Sequence, residues 1–258
     1  MTRTLLVIGL GLMLCFGQCN AQAAPTLSER TFKHLSKAQG LMGEDEFEEA
    51  EEILLSLDKA TAGRAYPNAV VQQTLGYLYS MSGRYDKAKS SFAAAINSGK
   101  LPIEPTQSLR ANLARLYIAD AETQHALPLL AAWFTDHEGE PNADMHVLYG
   151  SAFAQLNRYP EAITQFERAV SIAPKPKADW FRILAAMYAD QKNYAKAAKN
   201  LEALVVLEPD NKQSWKQLSG MYMADQKDTQ ALDVLSTAFH KGMLTTADEM
   251  ENLSKFYA

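Results

Sequence analysis

Apolar residues along most of this chain recur three and four positions apart, which is the spacing of one face of an α-helix. The stretch 75–95, LGYLYSMSGRYDKAKSSFAAA, shows this spacing in two blocks separated by the polar residues SGR. Leu75, Gly76 and Tyr79 share one helical face in the first block, and Ala88 and Phe92 share one in the second. The stretch therefore predicts two short amphipathic helices joined by a tight turn.

The same pair of blocks returns along the chain at intervals of 34 to 38 residues. Each copy has an alanine shortly after its turn, at Ala50, Ala88, Ala126, Ala162, Ala197 and Ala231. A small residue lies twelve positions before it, at Ala38, Gly76, Ala114, Gly150, Ala185 and Ser219. A bulky residue lies four positions after it, at Leu54, Phe92, Leu130, Phe166, Leu201 and Leu235. The small residues predict where two paired helices cross, and the bulky ones fill the space between them.

The order Leu-Gly-x-x-Tyr, then Ala-x-x-x-Phe, then a proline such as Pro174 or Pro209 resembles the tetratricopeptide repeat. The resemblance implies an all-α fold, a superhelical solenoid of antiparallel helix pairs with no strand. One pair cannot bury its apolar faces alone, so neighbouring pairs must stack into a continuous core. Pro128 lies later in its unit than Pro160 does, so we expect the second helix of repeat 3 to start late or to be kinked.

The solenoid is expected to span residues 24–258, with about six repeats and the start of a seventh. Leu253, Ser254 and Tyr257 reproduce the spacing of the first helix of repeat 6, and the sequence ends one residue later. This last helix is either a terminal cap or the beginning of a longer solenoid. Phe256 and Tyr257 would lie on its unpaired face, which makes this C-terminal end one candidate surface for a protein partner.

Residues 1–23 have the three parts of a secretory signal peptide. Arg3 precedes an apolar run from Leu5 to Phe16, and Ala21-Gln22-Ala23 supplies the small-residue cleavage pattern. The run is short for a transmembrane helix, so cleavage after Ala23 and a periplasmic protein without a membrane span are expected. Lipidation at Cys19 is the less favoured alternative, because Phe16-Gly17-Gln18 matches a lipobox poorly.

The charge, the cysteines, the histidines and the acidic clusters of the sequence predict no catalytic, metal or cofactor site. The net charge is −5 and no Lys/Arg stripe is present, which argues against a nucleic-acid partner. Both cysteines, Cys15 and Cys19, lie in the leader, and the histidines are scattered without zinc-site spacing. The triplet Asp136-His137-Glu138 lies in a Gly/Pro-containing stretch and is interpreted as a connector. The acidic run 43–52 lacks the alternating ligands and central glycine of a calcium loop.

The tetratricopeptide resemblance implies that the first helix of each repeat lines a concave groove through its second, fifth, ninth, twelfth and thirteenth positions. The candidate groove residues chosen on this basis are Gln73, Tyr77, Met81, Arg115, Ile118, Arg182, Asp190, Lys216 and Met223. Such a mixture of polar, cationic and apolar side chains suits an extended peptide or a helix of another protein. A C-terminal carboxylate ligand is not expected, because Arg182 and Lys216 are followed four residues later by Ala186 and Gly220.

The second half, from about residue 110, resembles the periplasmic tetratricopeptide proteins of Gram-negative TonB–ExbB–ExbD systems. The residues that carry this resemblance are HALPLLAAWF (125–134), Trp180, Trp215-x-x-Leu218-Ser219-Gly220-x-Tyr222 and Gly242-x-Leu244. It implies a non-enzymatic scaffold accessory to TonB-dependent transport, with TonB-system components among the partners. Two alternatives stay open: an adaptor for pilus, secretion or polysaccharide-export machinery, and, more remotely, an enzyme or solute-binding protein.

Overall fold

The computed structural model describes residues 26–243, which contain twelve α-helices and no strand. In chain order the helices are α1 Glu29–Gly43, α2 Phe47–Thr61, α3 Ala65–Met81, α4 Tyr85–Asn97, α5 Ile103–Ala119, α6 Thr123–Asp136, α7 Ala143–Gln155, α8 Tyr159–Ile172, α9 Ala178–Asp190, α10 Tyr194–Leu207, α11 Lys212–Ala224 and α12 Asp228–His240. Each odd-numbered helix packs on the next even-numbered one, and each pair packs on the pair that follows. The expected all-α solenoid of six helix pairs is confirmed over these residues.

The crossing points within each pair have the packing that the sequence predicts. The six alanines of the repeat are fully buried, and Phe92 and Phe166 are buried beside Gly76 and Gly150. A Cβ atom on Gly150 would lie 2.8 Å from the Phe166 ring, and one on Gly76 would clash with the Phe92 ring. The two helices of a pair therefore approach so closely that a larger side chain would force them apart.

Every first helix ends in the same turn, which directs the second helix antiparallel to the first. The residue five positions before the repeat alanine has a positive φ in all six pairs: Asp45, Gly83, Ala121, Asn157, Lys192 and Gln226. The N–H of the next residue donates to a carbonyl five residues earlier, as Arg84 does to Tyr79 at 2.8 Å and Lys227 does to Tyr222 at 2.9 Å. This is the Schellman arrangement, and it fixes the angle of each hairpin.

The prolines of the repeat pattern can be compared with the helix ends. α8 and α10 stop two residues before Pro174 and Pro209. For the second helix of repeat 3 the late start is wrong, because α6 begins at Thr123, three residues before its alanine, like the other second helices. The alternative, a kink, stays a prediction, since Pro128 lies inside α6 and has no N–H to donate.

Tyrosine–glutamate hydrogen bonds join neighbouring repeats. The hydroxyl of Tyr79 on α3 donates to Glu51 on α2 at 2.9 Å, and Tyr222 on α11 donates to Glu202 on α10. Burial and then the acceptor carboxylate raise the pKa of each of these tyrosines to about 12. Since donor and acceptor belong to different repeats, these bonds fix the position of one repeat on the next.

Candidate partner-binding groove

The residues predicted to line the groove lie on the first helices α3, α5, α9 and α11. Those on α3 and α5 lie close to one another. Burial raises the pKa of Tyr77, and the nearby side chains of Gln73 and Asn112 oppose that rise. Asn112 accepts a hydrogen bond from Nη1 of Arg115 at 3.2 Å. Gln73, Tyr77, Asn112 and Arg115 are therefore neighbours, and this polar chain of side chains spans repeats 2 and 3.

Asn112 is the member of this chain that the sequence reasoning missed. It occupies the sixth position of its repeat, which was not among the five positions assigned to the groove. The available signal was its place three residues before Arg115, since residues three apart share one face of a helix. Its side-chain oxygen accepts a hydrogen bond from the guanidinium of Arg115, and Tyr77 is near enough for Asn112 to affect the pKa of its phenol.

Arg115 is exposed to solvent, yet it sits in a partly desolvated environment. Burial lowers the pKa of its guanidinium from the ordinary value, and the negative charge of Asp144 on α7 opposes that shift. Within residues 26–243 its one hydrogen bond is to Asn112, and no carboxylate pairs with it. A side chain that is accessible and still desolvated by its surroundings is expected in a concave surface.

Apolar side chains lie on the same two helices as the polar chain. Met81, at the end of α3, is 49% exposed, and Ile118 on α5 is half-buried. Tyr77 packs edge-on against Phe92, with ring centroids 5.2 Å apart, so its ring is anchored in the core of its own repeat. The α3–α5 patch, defined as Gln73, Tyr77, Met81, Asn112, Arg115 and Ile118, thus offers both hydrogen-bond donors and apolar contact area.

Among the predicted groove residues on α9 and α11, Arg182 differs from Arg115 because it is paired with carboxylates. Arg182 makes two hydrogen bonds to Glu208, at 2.8 and 3.0 Å, and pairs with Asp179 as well. Hydrogen bonding to Glu208 raises the pKa of Arg182, so its charge is already compensated. Asp190, Lys216 and Met223 are exposed, with 42% of Met223 accessible. Phe256 and Tyr257, the predicted C-terminal contact residues, lie outside the described residues.

The residue clusters considered for other chemistry do not form a reactive site. In the triplet near position 137, Asp136 pairs with Arg110 at 2.6 Å, while His137 stacks on Trp133 with centroids 4.3 Å apart. The acid and the imidazole are thus held by different partners. Residues 26–243 contain no group of His, Cys, Asp or Glu side chains that could hold a metal ion. None of the helices in that range is long and apolar enough to cross a membrane.

Comparison with known proteins identifies the repeats directly. Tetratricopeptide repeat family models match residues 111–179 and 69–98. No curated protein matches the chain significantly. Residues 69–98 and 111–179 therefore contain tetratricopeptide repeats, and the twelve described helices show the same paired arrangement.

Solved structures of two tetratricopeptide proteins and of MamA have a similar fold. A tetratricopeptide repeat protein from Parabacteroides merdae has 17% identity and a TM-score of 0.59, with 83% of this chain and 80% of that one covered. YrrB, a tetratricopeptide protein described as having an unusual peptide-binding site, has 23% identity and a TM-score of 0.59, covering 71% of this chain and 89% of its own. MamA has 17% identity and a TM-score of 0.56, covering 67% and 91%. At these identities the likeness establishes the fold.

Proposed function

We propose that this protein is a non-enzymatic scaffold that binds an extended segment of a partner protein in the groove of its first helices. The observation that carries the proposal is the α3–α5 patch, where exposed Met81, the half-buried Tyr77 and the hydrogen-bonded Asn112–Arg115 pair lie on neighbouring first helices. Amide, phenol and guanidinium groups can bond to peptide carbonyls, while Met81 and Ile118 offer apolar surface for alternate side chains. Tyr77 and Ile118 also pack against the core, whereas Met81 and Arg115 are exposed on the same helices.

The fold supports this class of function. A stack of helix pairs presents a long curved surface rather than a closed pocket, which suits a linear ligand. Tetratricopeptide folds typically serve as non-enzymatic interaction modules. The structural neighbour YrrB is described as having a peptide-binding site, and the same kind of ligand is proposed here.

The groove can be tested by site-specific photo-cross-linking. A benzoylphenylalanine at Met81 should cross-link to one recurrent peptide segment of a partner, identified by mass spectrometry. The matched control is the same residue at Lys199, which is exposed on α10. Equal cross-linking from both positions, or cross-linking from Lys199 alone, would place the interaction outside the groove and contradict the proposal.

We propose further that the mature protein works in the periplasm as an accessory of TonB-dependent transport. Support comes from the leader-like sequence of residues 1–23 and from the resemblance of residues 110–258 to periplasmic proteins of TonB–ExbB–ExbD systems. N-terminal sequencing of the exported protein should start at Ala24. A protein that retains residues 1–23, or that carries lipid on Cys19, would contradict this cleavage.

A separate experiment tests the proposed role in TonB-dependent transport. Deleting the gene should slow growth on an iron source that needs a TonB-dependent receptor, with no effect on growth with freely diffusing iron. Epitope-tagged protein, cross-linked in living cells, should recover TonB, ExbB or ExbD. Recovery of pilus, secretion or polysaccharide-export components instead would favour the envelope-assembly alternative.

A further inference from the structure

We infer that the α3–α5 patch selects partner segments with an internal acidic side chain, and that Arg115 binds its carboxylate. This inference rests on the proposed groove function and adds the chemistry of the ligand. It starts from a difference between Arg115 and most other arginines of residues 26–243. Five of the seven others pair with a carboxylate: Arg84 with Glu51, Arg110 with Asp136, Arg158 with Glu161, Arg168 with Glu140 and Arg182 with Glu208. Within the same range Arg30 and Arg64 form no salt bridge either, but they lie outside the patch.

Arg115 has unused hydrogen-bonding capacity. A guanidinium carries five N–H donors in a planar fork that matches a carboxylate. Within the described part of the chain one of them is engaged, by Asn112 at 3.2 Å. That bond limits the rotation of the side chain before any ligand arrives. A pre-oriented donor loses less entropy on binding than a freely rotating one.

The electrostatic setting favours an anion. Burial lowers the pKa of Arg115, which means that the surrounding protein destabilises its positive charge. An incoming carboxylate would compensate that charge in a medium of lower dielectric than water, where the attraction is stronger. Asp144 acts on Arg115 from the next first helix, but its own carboxylate lies 3.4 Å from the ammonium of Lys177. Among the described residues, Arg115 therefore faces no dedicated counter-ion.

The position of Arg115 indicates an internal carboxylate rather than a chain terminus. Arg115 lies on α5, with Gln73, Tyr77 and Met81 on α3 to one side and α7 to the other. First-helix surface therefore continues in both directions from it. A segment that follows the groove passes Arg115 and continues, so the carboxylate that reaches the guanidinium belongs to an Asp or Glu side chain. Ile118 lies three residues after Arg115 on α5, so an apolar residue of the ligand is expected next to that acid.

Peptide selection tests this specificity and needs no identified partner. A library of random twelve-residue peptides with amidated C-termini is selected on the wild-type protein and on Arg115→Gln, Arg115→Lys and Arg115→Glu. The wild type should enrich an internal Asp or Glu, and Arg115→Gln should bind the selected peptides about tenfold more weakly, the cost of one charged hydrogen-bonded contact. Arg115→Lys should keep part of the acidic preference, and Arg115→Glu should select Lys or Arg instead. Lys199→Gln, which removes an exposed cation from α10, is the matched control and should select the same peptides as the wild type.

The outcomes separate the inference from the proposed function. Selected peptides with no acidic preference, or with the same preference after Arg115→Gln, would overturn the inference while leaving a peptide-binding groove. A second library with free C-termini is selected in parallel. Binders from that library alone would show that the anion is a terminal carboxylate and would also overturn the inference. Failure to select any peptide from either library would contradict the groove function itself. Equal melting temperatures for all variants would exclude unfolding as the cause of lost binding.

Discussion

At the scale of single residues, the most informative position is the left-handed residue that closes each first helix. Its φ lies between 57° and 74° in all six repeats, but only repeat 2 uses a glycine there, Gly83. Ala121 adopts φ 59° in repeat 3, where its Cβ atom crowds the following backbone. The chain therefore tolerates strain at a site where glycine would be relaxed.

We predict that Ala121→Gly stabilises the protein, on the order of 0.5–1 kcal/mol, because it removes the Cβ strain of a left-handed residue. Thermal melting followed by circular dichroism measures the change. Ala131→Gly provides the matched control, since Ala131 is exposed inside α6 and should lose about 1 kcal/mol. A lower melting temperature for Ala121→Gly would show that the turn does not carry this strain.

Individual residues also show how much of the fold could be predicted from the sequence. The buried repeat alanines and the small residues opposite them follow from steric need, since two helices cannot cross closely over a large side chain. All six alanines are indeed fully buried. The left-handed turns could not be predicted in the same way, because Asp45, Ala121 and Lys192 are not residues that prefer positive φ as glycine does.

At the scale of helices, the first two junctions between repeats use opposite charges at equivalent positions. The residue after the repeat alanine is Glu51 on α2 and Lys89 on α4. Glu51 pairs with Arg84 in the next repeat, whereas Lys89 bonds to Asp120 at 2.7 Å and to Glu122 at 3.1 Å. Reversed charges at matching positions disfavour wrong pairing of repeat 1 with repeat 3.

We predict that Lys89→Glu destabilises the protein by about 2 kcal/mol, because it places a carboxylate beside Asp120 and Glu122. The cost is below that of a fully buried charge, since both acidic partners are partly exposed. Adding Glu122→Arg should restore part of the stability by recreating the Glu51–Arg84 type of junction. Urea unfolding of the single and double variants measures the coupling between the two positions.

The matched control for this charge reversal is Lys199→Glu, on the exposed surface of α10. It should change the unfolding free energy by a few tenths of a kcal/mol at most. Equal effects of Lys89→Glu and Lys199→Glu, or no recovery in the double variant, would show that the contacts of Lys89 do not hold the junction.

The repeat pattern in the sequence predicted only some of the residues of the candidate groove and few of their contacts. The family positions all lie on first helices, and their role in lining a groove stays a prediction. They could not show that Arg182 pairs with Glu208, which lies 26 residues away at the end of the next helix. Nor could they show that Asn112 accepts a hydrogen bond from Arg115, because position six was not among them. Contacts between repeats depend on the stacking geometry, which a one-dimensional pattern does not contain.

At the scale of the whole molecule, a stack in which each repeat touches mainly its neighbours should respond locally to a local defect. Contacts among the described helices chiefly join helices adjacent in the chain, and first helices touch one another much less, as α1 and α3 or α5 and α7 do. The charged and hydrogen-bonded junctions Glu51–Arg84 and Lys89–Asp120 hold repeats 1 to 3 together. Repeats 1 and 2 should therefore stay folded when repeat 4 is damaged.

We predict that Ala162→Leu produces such a local defect. Ala162 is fully buried where α7 and α8 cross, so the larger side chain would overpack the interface and cost roughly 1–3 kcal/mol. Hydrogen exchange read by mass spectrometry should show lost protection in α7 to α10, while α1 to α4 keep the wild-type rate. Lys199→Glu should leave the exchange pattern unchanged throughout. Uniform loss of protection across all repeats would mean that the solenoid unfolds as one cooperative unit, and unchanged exchange in α7 and α8 would mean that Ala162 does not lie at a helix crossing.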